Sequence, residues 1–271
     1  MKLVRFSIDP ETDPTADDSA PGVRWGVVDG DRYQQLEGDP LGQWITTGRT
    51  WAPAEVRLLP PCTPSKIVCV GRNYRDHAKE LNNPVPAEPL LFLKPPSALI
   101  ASGDAILYPP QSEQVHFEGE LGVLIGRRCR DLTDPAAAPD YIFGYTCVND
   151  VTARDLQKRD VQFTRGKGFD TFCAVGPCVV RRDDLDAAAL SVRTYLDGEL
   201  KQDGNTRDLI FPLGIILSYI SQVMTLEPGD LIATGTPAGV GPMQPGSTVV
   251  VSVEGIGELR NTVRKREQAR P

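Results

Sequence analysis

The sequence predicts a mainly β fold of the α+β class, a β-rich roll, barrel or sandwich with a few covering helices. Stretches rich in β-branched and aromatic residues recur from residue 115 onward, and such stretches are typical of strands. Only two segments of that region carry the apolar spacing of a helix. They do not alternate regularly with the strands, which disfavours a doubly wound α/β fold.

Residues 1–60 are predicted to form a small N-terminal β domain. Its strand segments are VRFSI, RWGVVDGDRYQQL and VRLLPP. The Asp29-Gly30 pair predicts a hairpin, and Pro60-Pro61 closes the unit. A second domain, residues 61–271, then opens with SKIVCVGRNY, whose composition predicts a buried strand.

A short helix is predicted over Asp76–Leu81. The segment NNPVPAEP that follows holds three prolines, which cannot continue a helix. Residues 77–97 are therefore a short helix joined to a loop. Two interpretations of this segment are compatible with the sequence: a movable lid and a static connection.

Six strand segments and two helical segments are predicted from residue 115 onward. The strands are VHFEGELGVLIG, YIFGYTCVND, FCAVGPCVV, SVRTYLDGEL, DLIATGT and STVVVSVEGIGEL. The helices are VTARDLQKRDVQ and LGIILSYISQVMTL. The apolar face of the second helix is predicted to consist of Ile215, Ile216, Tyr219, Ile220 and Val223.

Composition excludes several classes of function. The net charge is −7, which argues against a nucleic-acid partner. No apolar run approaches the roughly 18 residues of a membrane span, and no secretory signal is visible, so a cytoplasmic protein is expected. The six cysteines lie in or beside apolar stretches without a C-x-x-C pair, which predicts reduced core residues. Two histidines, His77 and His116, cannot supply a three-histidine metal site.

Three carboxylates form a candidate metal site. Side chains alternate along a strand, so Glu118 and Glu120 point the same way, about 7 Å apart. Asp150 ends the next apolar strand and precedes a predicted helix. A solvated face for the glutamates and a helix N-cap for Asp150 are the alternatives. Neighbouring Gly119 and Gly122 indicate close approach by a ligand or another backbone.

A site of carboxylates alone suits Mg²⁺ or Mn²⁺, and Ca²⁺ can also occupy it. His116 lies on the same strand face, and we interpret it as an outer or structural residue rather than a ligand.

Candidate acid–base and cationic groups lie elsewhere in the chain. His77 and Glu80 share a helix face, so the carboxylate can orient the imidazole. Lys167, between two glycines, can offset carboxylate charge or a developing oxyanion. Arg154 and Gln157 can face the same site. An exposed pair for His77 and Glu80, a solvated Lys167 and an Arg154–Asp150 ion pair are the alternatives.

The run TGTPAGVGP, residues 234–242, follows a predicted strand. It can form an anion-binding nest or a structural turn. It matches neither the dinucleotide fingerprint nor the P-loop.

Taken together, these segments resemble the fumarylacetoacetate hydrolase superfamily, in its acylpyruvate hydrolase-like branch. The segments that carry the resemblance are GRNYRDHAKE, FLKPPSA, HFEGELGVLIG, GYTCVNDVTARDLQ, TRGKGFDTF, MTLEPGDLIATGTPAGVGP and GIGELRN. They recur in family order, which is far more specific than any single motif.

The resemblance implies a mixed β-roll that is usually dimeric, with the first sixty residues as a small extra domain. It also implies roles for individual side chains. The metal ligands would be Glu118, Glu120 and Asp150, the lid acid–base pair His77 and Glu80, the active-site lysine Lys167, and the substrate contacts Gln157 and Thr236.

The implied activity is metal-dependent hydrolysis of a C–C bond in an acylpyruvate or fumarylpyruvate, a small 2-oxo acid, through a metal-stabilised enolate. Oxaloacetate decarboxylation or tautomerisation, and a hydroxymuconate-type isomerisation, would use the same metal site. A non-catalytic metal- or ligand-binding protein is the alternative from another class.

Overall fold

The structure is a computed structural model that describes residues 1–8 and 22–267. Strands dominate this part of the chain, which confirms the predicted mainly β fold. The strands are β1 (Lys2–Ile8), β2 (Val23–Asp29), β3 (Arg32–Gly38), β4 (Trp44–Trp51), β5 (Val56–Leu59), β6 (Ile67–Gly71), β7 (Leu90–Lys94), β8 (Leu99–Ile100), β9 (Ala105–Tyr108), β10 (Val115–Phe117), β11 (Gly119–Ile125), β12 (Ile142–Asp150), β13 (Thr152–Ala153), β14 (Cys173–Arg181), β15 (Ser191–Leu196), β16 (Glu199–Asn205), β17 (Leu231–Ala233), β18 (Gly241–Pro242), β19 (Thr248–Val253) and β20 (Gly257–Lys265). The α-helices are α1 (Arg75–Glu80), α2 (Arg154–Arg159), α3 (Thr164–Lys167) and α4 (Leu213–Val223).

A twelve-stranded sheet runs through the molecule in the order β4-β3-β2-β1-β14-β12-β11-β17-β6-β7, with β5 paired to β1 and β8 to β14. Most neighbours are antiparallel, whereas β6 and β17 are parallel. The N-terminal strands join this sheet where Lys2 pairs with Val180. Residues before and after position 60 therefore share one sheet, and a domain boundary at that position stays a prediction.

A five-stranded sheet, β16-β15-β19-β20-β9, packs against one face of the large sheet. Apolar side chains of both sheets, such as Val123, Cys147 and Val251, meet in one buried cluster. A second cluster with Leu124 and Val148 covers the opposite face of the large sheet. All seven residues of β11 are consequently buried, as expected for a strand covered on both sides.

The single strand predicted over residues 115–126 is in fact two strands. β10 pairs with β13 and β18 in a small three-stranded sheet. β11 pairs with β12 and β17 in the large one. Glu118 lies at the break, so one of the candidate ligands sits where the chain passes from one sheet to another.

The short predicted helix is confirmed as α1, shifted by one residue. The helix predicted over residues 151–162 is only α2, six residues long. Its beginning was wrongly predicted because Thr152 and Ala153 pair with His116 and Val115 as a strand. Asp150 is not the N-cap of α2, since Ala153 occupies that position.

The second predicted helix is confirmed as α4. Its buried side includes Ile216, Leu217 and Ile220. Ile215 and Val223, predicted on the apolar face, are 41% and 63% exposed. The helix therefore buries a narrower face than its apolar pattern indicates.

The predicted hairpin and the predicted reduced cysteines are confirmed. β2 and β3 form the predicted hairpin, with Asp29 paired to Arg32 and Gly30 at φ 57° in the turn. All six cysteines are buried free thiols. In residues 1–8 and 22–267, no helix has the length and apolar character to cross a membrane.

Candidate metal and substrate site

Glu118, Glu120 and Asp150 converge in the interior, as their strand positions predict. The pairing of Gly119 with Asn149 aligns β11 with the end of β12, and the Asp150 N–H donates to the Glu118 carbonyl at 2.9 Å. One ligand oxygen from each carboxylate lies within 4.8 Å of the others. All three side chains are buried, so the solvated-face alternative for the glutamates is wrong.

Lys167 bridges two of these carboxylates. Its Nζ lies 2.7 Å from Glu118 Oε2 and 2.6 Å from Asp150 Oδ2, and 4.8 Å from the centre of the Phe92 ring. Burial would lower the pKa of Lys167, but Asp150 and Glu118 raise it above its ordinary value. Lys167 is therefore a buried ammonium inside the carboxylate cluster, and a solvated position for it is excluded.

Arg154 is the second cation, after Lys167, that pairs with the Glu118 carboxylate. Its guanidinium donates to Glu118 Oε1 and, at 2.6 Å, to Gln157 Oε1. The alternative of an Arg154–Asp150 ion pair is wrong, because Asp150 is bound by lysines. Burial raises the pKa of Glu118, but Lys167 and Arg154 outweigh that effect and hold it well below the usual range.

Lys94 is a buried cation to which the sequence reasoning assigned no role. Its Nζ lies 2.5 Å from Asp150 Oδ1 and 3.0 Å from the Val151 carbonyl, and the residue is 1% exposed. The only local signal is a lysine at the end of the apolar segment LLFLK. Such a lysine is seldom fully buried unless a charge pairs with it.

Among the three carboxylates, Glu120 is the one whose negative charge is least compensated by neighbouring groups. Its contact in the described chain is the Gly235 N–H, 2.7 Å from Oε2. Burial, together with the charges of Asp150 and Glu118, raises the pKa of Glu120 well above its usual range. A divalent cation beside Glu120 would supply the missing positive charge, so the residues present fit such an ion. A donor set of carboxylate oxygens suits Mg²⁺ or Mn²⁺.

The cluster lines a cavity of about 750 Å³. His77, Glu80, Gln157 and Thr236 line the same cavity, together with Leu90, Phe92 and Phe163. The structure therefore brings all nine candidate site residues to one place. Which role each plays stays a prediction.

His77 and Glu80 form the predicted pair on α1. His77 is buried, and its Nδ1 lies 3.2 Å from Glu80 Oε2. With Nδ1–H donating to Glu80, Nε2 is the basic nitrogen. Glu80 Oε1 also accepts from the Gly239 N–H at 3.0 Å. Glu80 thus fixes both the imidazole and the position of α1 against the loop that contains Gly239.

The run 234–242 binds carboxylates of the protein itself. Its backbone N–H groups at Gly235 and Gly239 donate to Glu120 and Glu80. Thr236 is buried, and its hydroxyl donates to the Gly119 carbonyl at 2.8 Å. The hydroxyl proton of Thr236 is therefore already engaged within the protein.

Gln202 is a second residue that the sequence reasoning missed. It is fully buried, and its amide donates to Thr236 Oγ1 and the Pro237 carbonyl, each at 2.7 Å. Its Oε1 accepts from the Gly119 N–H at 2.9 Å. Gln202 therefore links Gly119, which lies between the two glutamates, to the loop that contains Thr236 and Pro237.

The glycines of the site are explained by protein packing. A Cβ at Gly119 would lie 2.0 Å from Thr194 Oγ1, and one at Gly122 would lie 2.5 Å from Val148 Cγ2. A Cβ at Gly166 would lie 3.0 Å from the Gln157 nitrogen. The inference of close approach is right, but the neighbours are side chains and backbone of the fold rather than a ligand.

His116 lies outside the carboxylate cluster, as expected. Its Nδ1 is buried without a hydrogen-bond partner in the described chain. Burial and the nearby Arg154 lower the pKa of His116 to about 4. The imidazole is therefore neutral near pH 7.

Two families match the chain. Residues 66–264 match the family described as fumarylacetoacetate (FAA) hydrolase C-terminal, and residues 1–61 match one described as Rv2993c-like, N-terminal. Protein Rv2993c from Mycobacterium tuberculosis is 48% identical over 259 residues, 92% of this chain and 96% of that protein. A mitochondrial oxaloacetate decarboxylase from Dictyostelium discoideum is 44% identical over 199 residues, 72% of this chain and 91% of that protein.

Solved structures are also similar to this chain over nearly its full length. A 2-hydroxyhepta-2,4-diene-1,7-dioate isomerase from Mycobacterium marinum shares 44% identity with a TM-score of 0.87, over 99% of this chain and 100% of that one. A maleylpyruvate hydrolase from Sphingobium sp. SYK-6, solved with manganese(II) and pyruvate, shares 32% identity with a TM-score of 0.78, over 98% and 100%. Since a family match covers most of the chain and these relatives are similar over nearly their full length, the chain belongs to the fumarylacetoacetate hydrolase family.

Proposed function

We propose that the protein is a metal-dependent hydrolase that cleaves a C–C bond in a 2,4-dioxo acid of the acylpyruvate or fumarylpyruvate type. Glu118, Glu120 and Asp150 would hold Mg²⁺ or Mn²⁺. The bound ion would supply a Lewis acid that stabilises the negative charge of the pyruvate enolate. Manganese and pyruvate in the maleylpyruvate hydrolase structure support this choice of ligand and ion.

The observation that carries the proposal is that the His77–Glu80 pair lines the same cavity as the carboxylate cluster. Hydrolysis needs a base that activates water, whereas decarboxylation does not. Glu80 holds Nδ1 of His77, which leaves Nε2 to accept a proton from water.

The hydrolytic step then balances with the residues present. His77 removes a proton from water, and the hydroxide attacks the distal carbonyl carbon. The bond between that carbon and the methylene carbon breaks, and the electron pair stays with the pyruvate half. His77 returns its proton to the methylene carbon, which gives pyruvate and a carboxylic acid, and the acid then releases its proton to solvent.

Lys167 and Gln157 would assist this step. An ammonium has three N–H donors, and Lys167 uses two of them on Glu118 and Asp150. The third can stabilise the oxyanion at the attacked carbonyl. Gln157 accepts from Arg154 through Oε1, so its NH₂ group is available to donate to the substrate.

A second candidate is oxaloacetate decarboxylation or tautomerisation, or a hydroxymuconate-type isomerisation, at the same site. The decarboxylase from Dictyostelium discoideum is 44% identical to this chain, against 32% for the maleylpyruvate hydrolase. Loss of CO₂ from oxaloacetate gives the same enolate without attack by water. Replacement of His77 would then lower the rate of turnover less than it lowers the rate of hydrolysis.

One assay panel separates these functions. Metal-stripped protein, with and without added Mg²⁺ or Mn²⁺, is given acetylpyruvate, fumarylpyruvate, oxaloacetate and a hydroxymuconate-type diacid. We expect metal-dependent cleavage of the acylpyruvates that is abolished in His77→Ala. Unchanged turnover without metal would refute the proposal, and turnover of oxaloacetate alone would favour the second candidate. Metal binding without any turnover would favour a non-catalytic binding protein.

Assembly into a homodimer and a cytoplasmic location remain predictions. Light scattering of the purified protein tests the first, and cell fractionation tests the second.

A further inference from the structure

Arg72 is a cation of the cavity that has no partner among the residues that the structure describes. It follows β6 and lines the same cavity as His77, Glu118 and Glu120. It is half-buried and makes no hydrogen bond or ion pair with residues 1–8 or 22–267. The other cations near the carboxylates, Lys94, Lys167 and Arg154, are all paired with them. Arg72 is therefore surplus to the internal charge pairing of the site.

The backbone presents Arg72 in an unusual conformation. Its φ is 55°, in the left-handed region that costs a non-glycine residue about 1–2 kcal/mol. The next residue, Asn73, is fully buried, and its side chain bonds Phe211 N–H at 2.8 Å and the Thr234 carbonyl at 2.8 Å. This anchoring fixes the chain on the C-terminal side of Arg72 and so maintains the strained conformation.

Lys158 also lines the cavity and likewise has no partner within residues 1–8 and 22–267. It is exposed at the end of α2, where a flexible, well-hydrated ammonium contributes little to binding. A guanidinium presents a planar fork that matches a carboxylate, and it is more weakly hydrated. The half-buried Arg72 is therefore the better carboxylate-binding group of the two.

We propose that Arg72 binds the distal carboxylate of a dicarboxylic 2-oxo acid and thereby sets the specificity of the site for dianionic substrates. This rests on the proposed function, in which the 2-oxo acid end of the substrate lies at Glu118, Glu120 and Asp150. A second carboxylate would otherwise meet apolar wall residues such as Phe92 and Phe163, and a buried charge without a partner is costly. Arg72 supplies the counter-charge.

Matched substrates test this assignment. Fumarylpyruvate and acetylpyruvate share the scissile bond, but only fumarylpyruvate carries a distal carboxylate. Arg72→Met should lower kcat/KM for fumarylpyruvate about 10- to 100-fold, mainly through KM, as expected for loss of a charge-assisted contact. Turnover of acetylpyruvate should change less than about twofold, and Lys158→Met should behave as wild type. Equal losses on both substrates, or the loss appearing in Lys158→Met, would overturn the assignment.

A binding measurement tests the role of Arg72 independently of the hydrolytic reaction. The probes are 2-oxoadipate and 2-oxohexanoate, which have six carbons each and differ only in the distal carboxylate. Calorimetry on Mn²⁺-loaded wild-type protein should show tighter binding of 2-oxoadipate, and Arg72→Met should remove that preference while Arg72→Lys keeps part of it. Absence of hydrolysis would count against the proposed function alone. Equal wild-type affinity for the two acids, or binding of neither, would overturn the role of Arg72.

Discussion

Lys94 Nζ lies 2.5 Å from Asp150 Oδ1, and both side chains are almost completely withdrawn from solvent. The two residues are 56 positions apart, and their strands, β7 and β12, are separated in the large sheet by β11, β17 and β6. The second oxygen of Asp150 accepts from Lys167. Asp150 is therefore held on both oxygens by ammonium groups while it faces the cavity.

Lys94→Met should destabilise the metal-free protein by about 3–5 kcal/mol, because it leaves a buried carboxylate short of a counter-charge. Added Mn²⁺ should restore part of the loss, since an ion held at the proposed site would supply positive charge next to Asp150. Thermal unfolding with and without Mn²⁺ measures both effects. The control is Lys66→Met, which breaks a pair with Asp230 and should gain nothing extra from Mn²⁺. An equal Mn²⁺ shift in wild type and Lys94→Met would show that Lys94 does not compensate the metal site.

Glu80→Ala should lower kcat for hydrolysis about 100-fold, because His77 loses the carboxylate that orients it. The same change removes the acceptor of the Gly239 N–H, so α1 loses its contact with that loop. Glu80→Gln keeps an acceptor for Gly239 and should lose less. Steady-state kinetics at saturating Mn²⁺ measures the difference, and a wild-type kcat in Glu80→Ala would exclude Glu80 from the acid–base pair.

Gly119→Ala should cost about 2–3 kcal/mol of unfolding free energy through overpacking. The added Cβ would lie 2.0 Å from Thr194 Oγ1, on a β-branched side chain that is fully buried. Gly241→Ala is the matched control, because its Cβ would meet Phe117 at an ordinary 3.5 Å. Urea unfolding of both variants gives the comparison. Similar stabilities for the two variants would mean that β11 and β15 can move apart at no cost.

The hydrogen bonds that Asp230 accepts should make the free energy of unfolding depend on pH. Burial raises its pKa, but hydrogen bonds from Glu227 N–H, the Lys66 ammonium and Ser65 outweigh burial and lower it. A carboxylate with a lowered folded-state pKa contributes stability above its unfolded pKa and loses it as the pH falls through the folded value. Asp230→Asn should therefore be less stable than wild type by about 2 kcal/mol at pH 7.

That difference should stay constant from pH 7 to about 4 and shrink as the pH falls further towards 2, because wild-type Asp230 becomes protonated only below the ordinary aspartate pKa of 3.8. Unfolding free energies of the two proteins across this range provide the measurement. A difference that stays constant with pH would mean that the charge of Asp230 does not contribute.

The sequence predicted the convergence of the carboxylates because it follows from local rules. Alternation along one strand predicted that Glu118 and Glu120 share a face, and Asp150 was predicted to end the next strand. The chain is in fact broken at Glu118, between β10 and β11, but the break leaves Glu118 beside Glu120 and Asp150. Their burial was harder to predict, since β11 is covered on both faces by elements distant in sequence.

The missed residues all depend on long-range contacts. Lys94 and Gln202 are recognisable only once their partners, 56 and 83 positions away, are placed. The beginning of α2 was missed because Thr152 pairs with His116, and strand pairing across the fold overrides a local helical pattern. Local sequence patterns therefore predicted the candidate ligands, whereas the groups that hold them in place became recognisable only from the tertiary structure.

The most direct test of the metal site is a titration of metal-stripped protein with Mn²⁺, followed by electron paramagnetic resonance. One Mn²⁺ should bind per chain, and Glu120→Gln should weaken binding by more than about 100-fold, since it removes a ligand rather than an outer contact. Glu80→Gln, in the same cavity but outside the carboxylate cluster, should bind Mn²⁺ as wild type does. Unaltered affinity in Glu120→Gln, or no binding by wild type, would contradict the account.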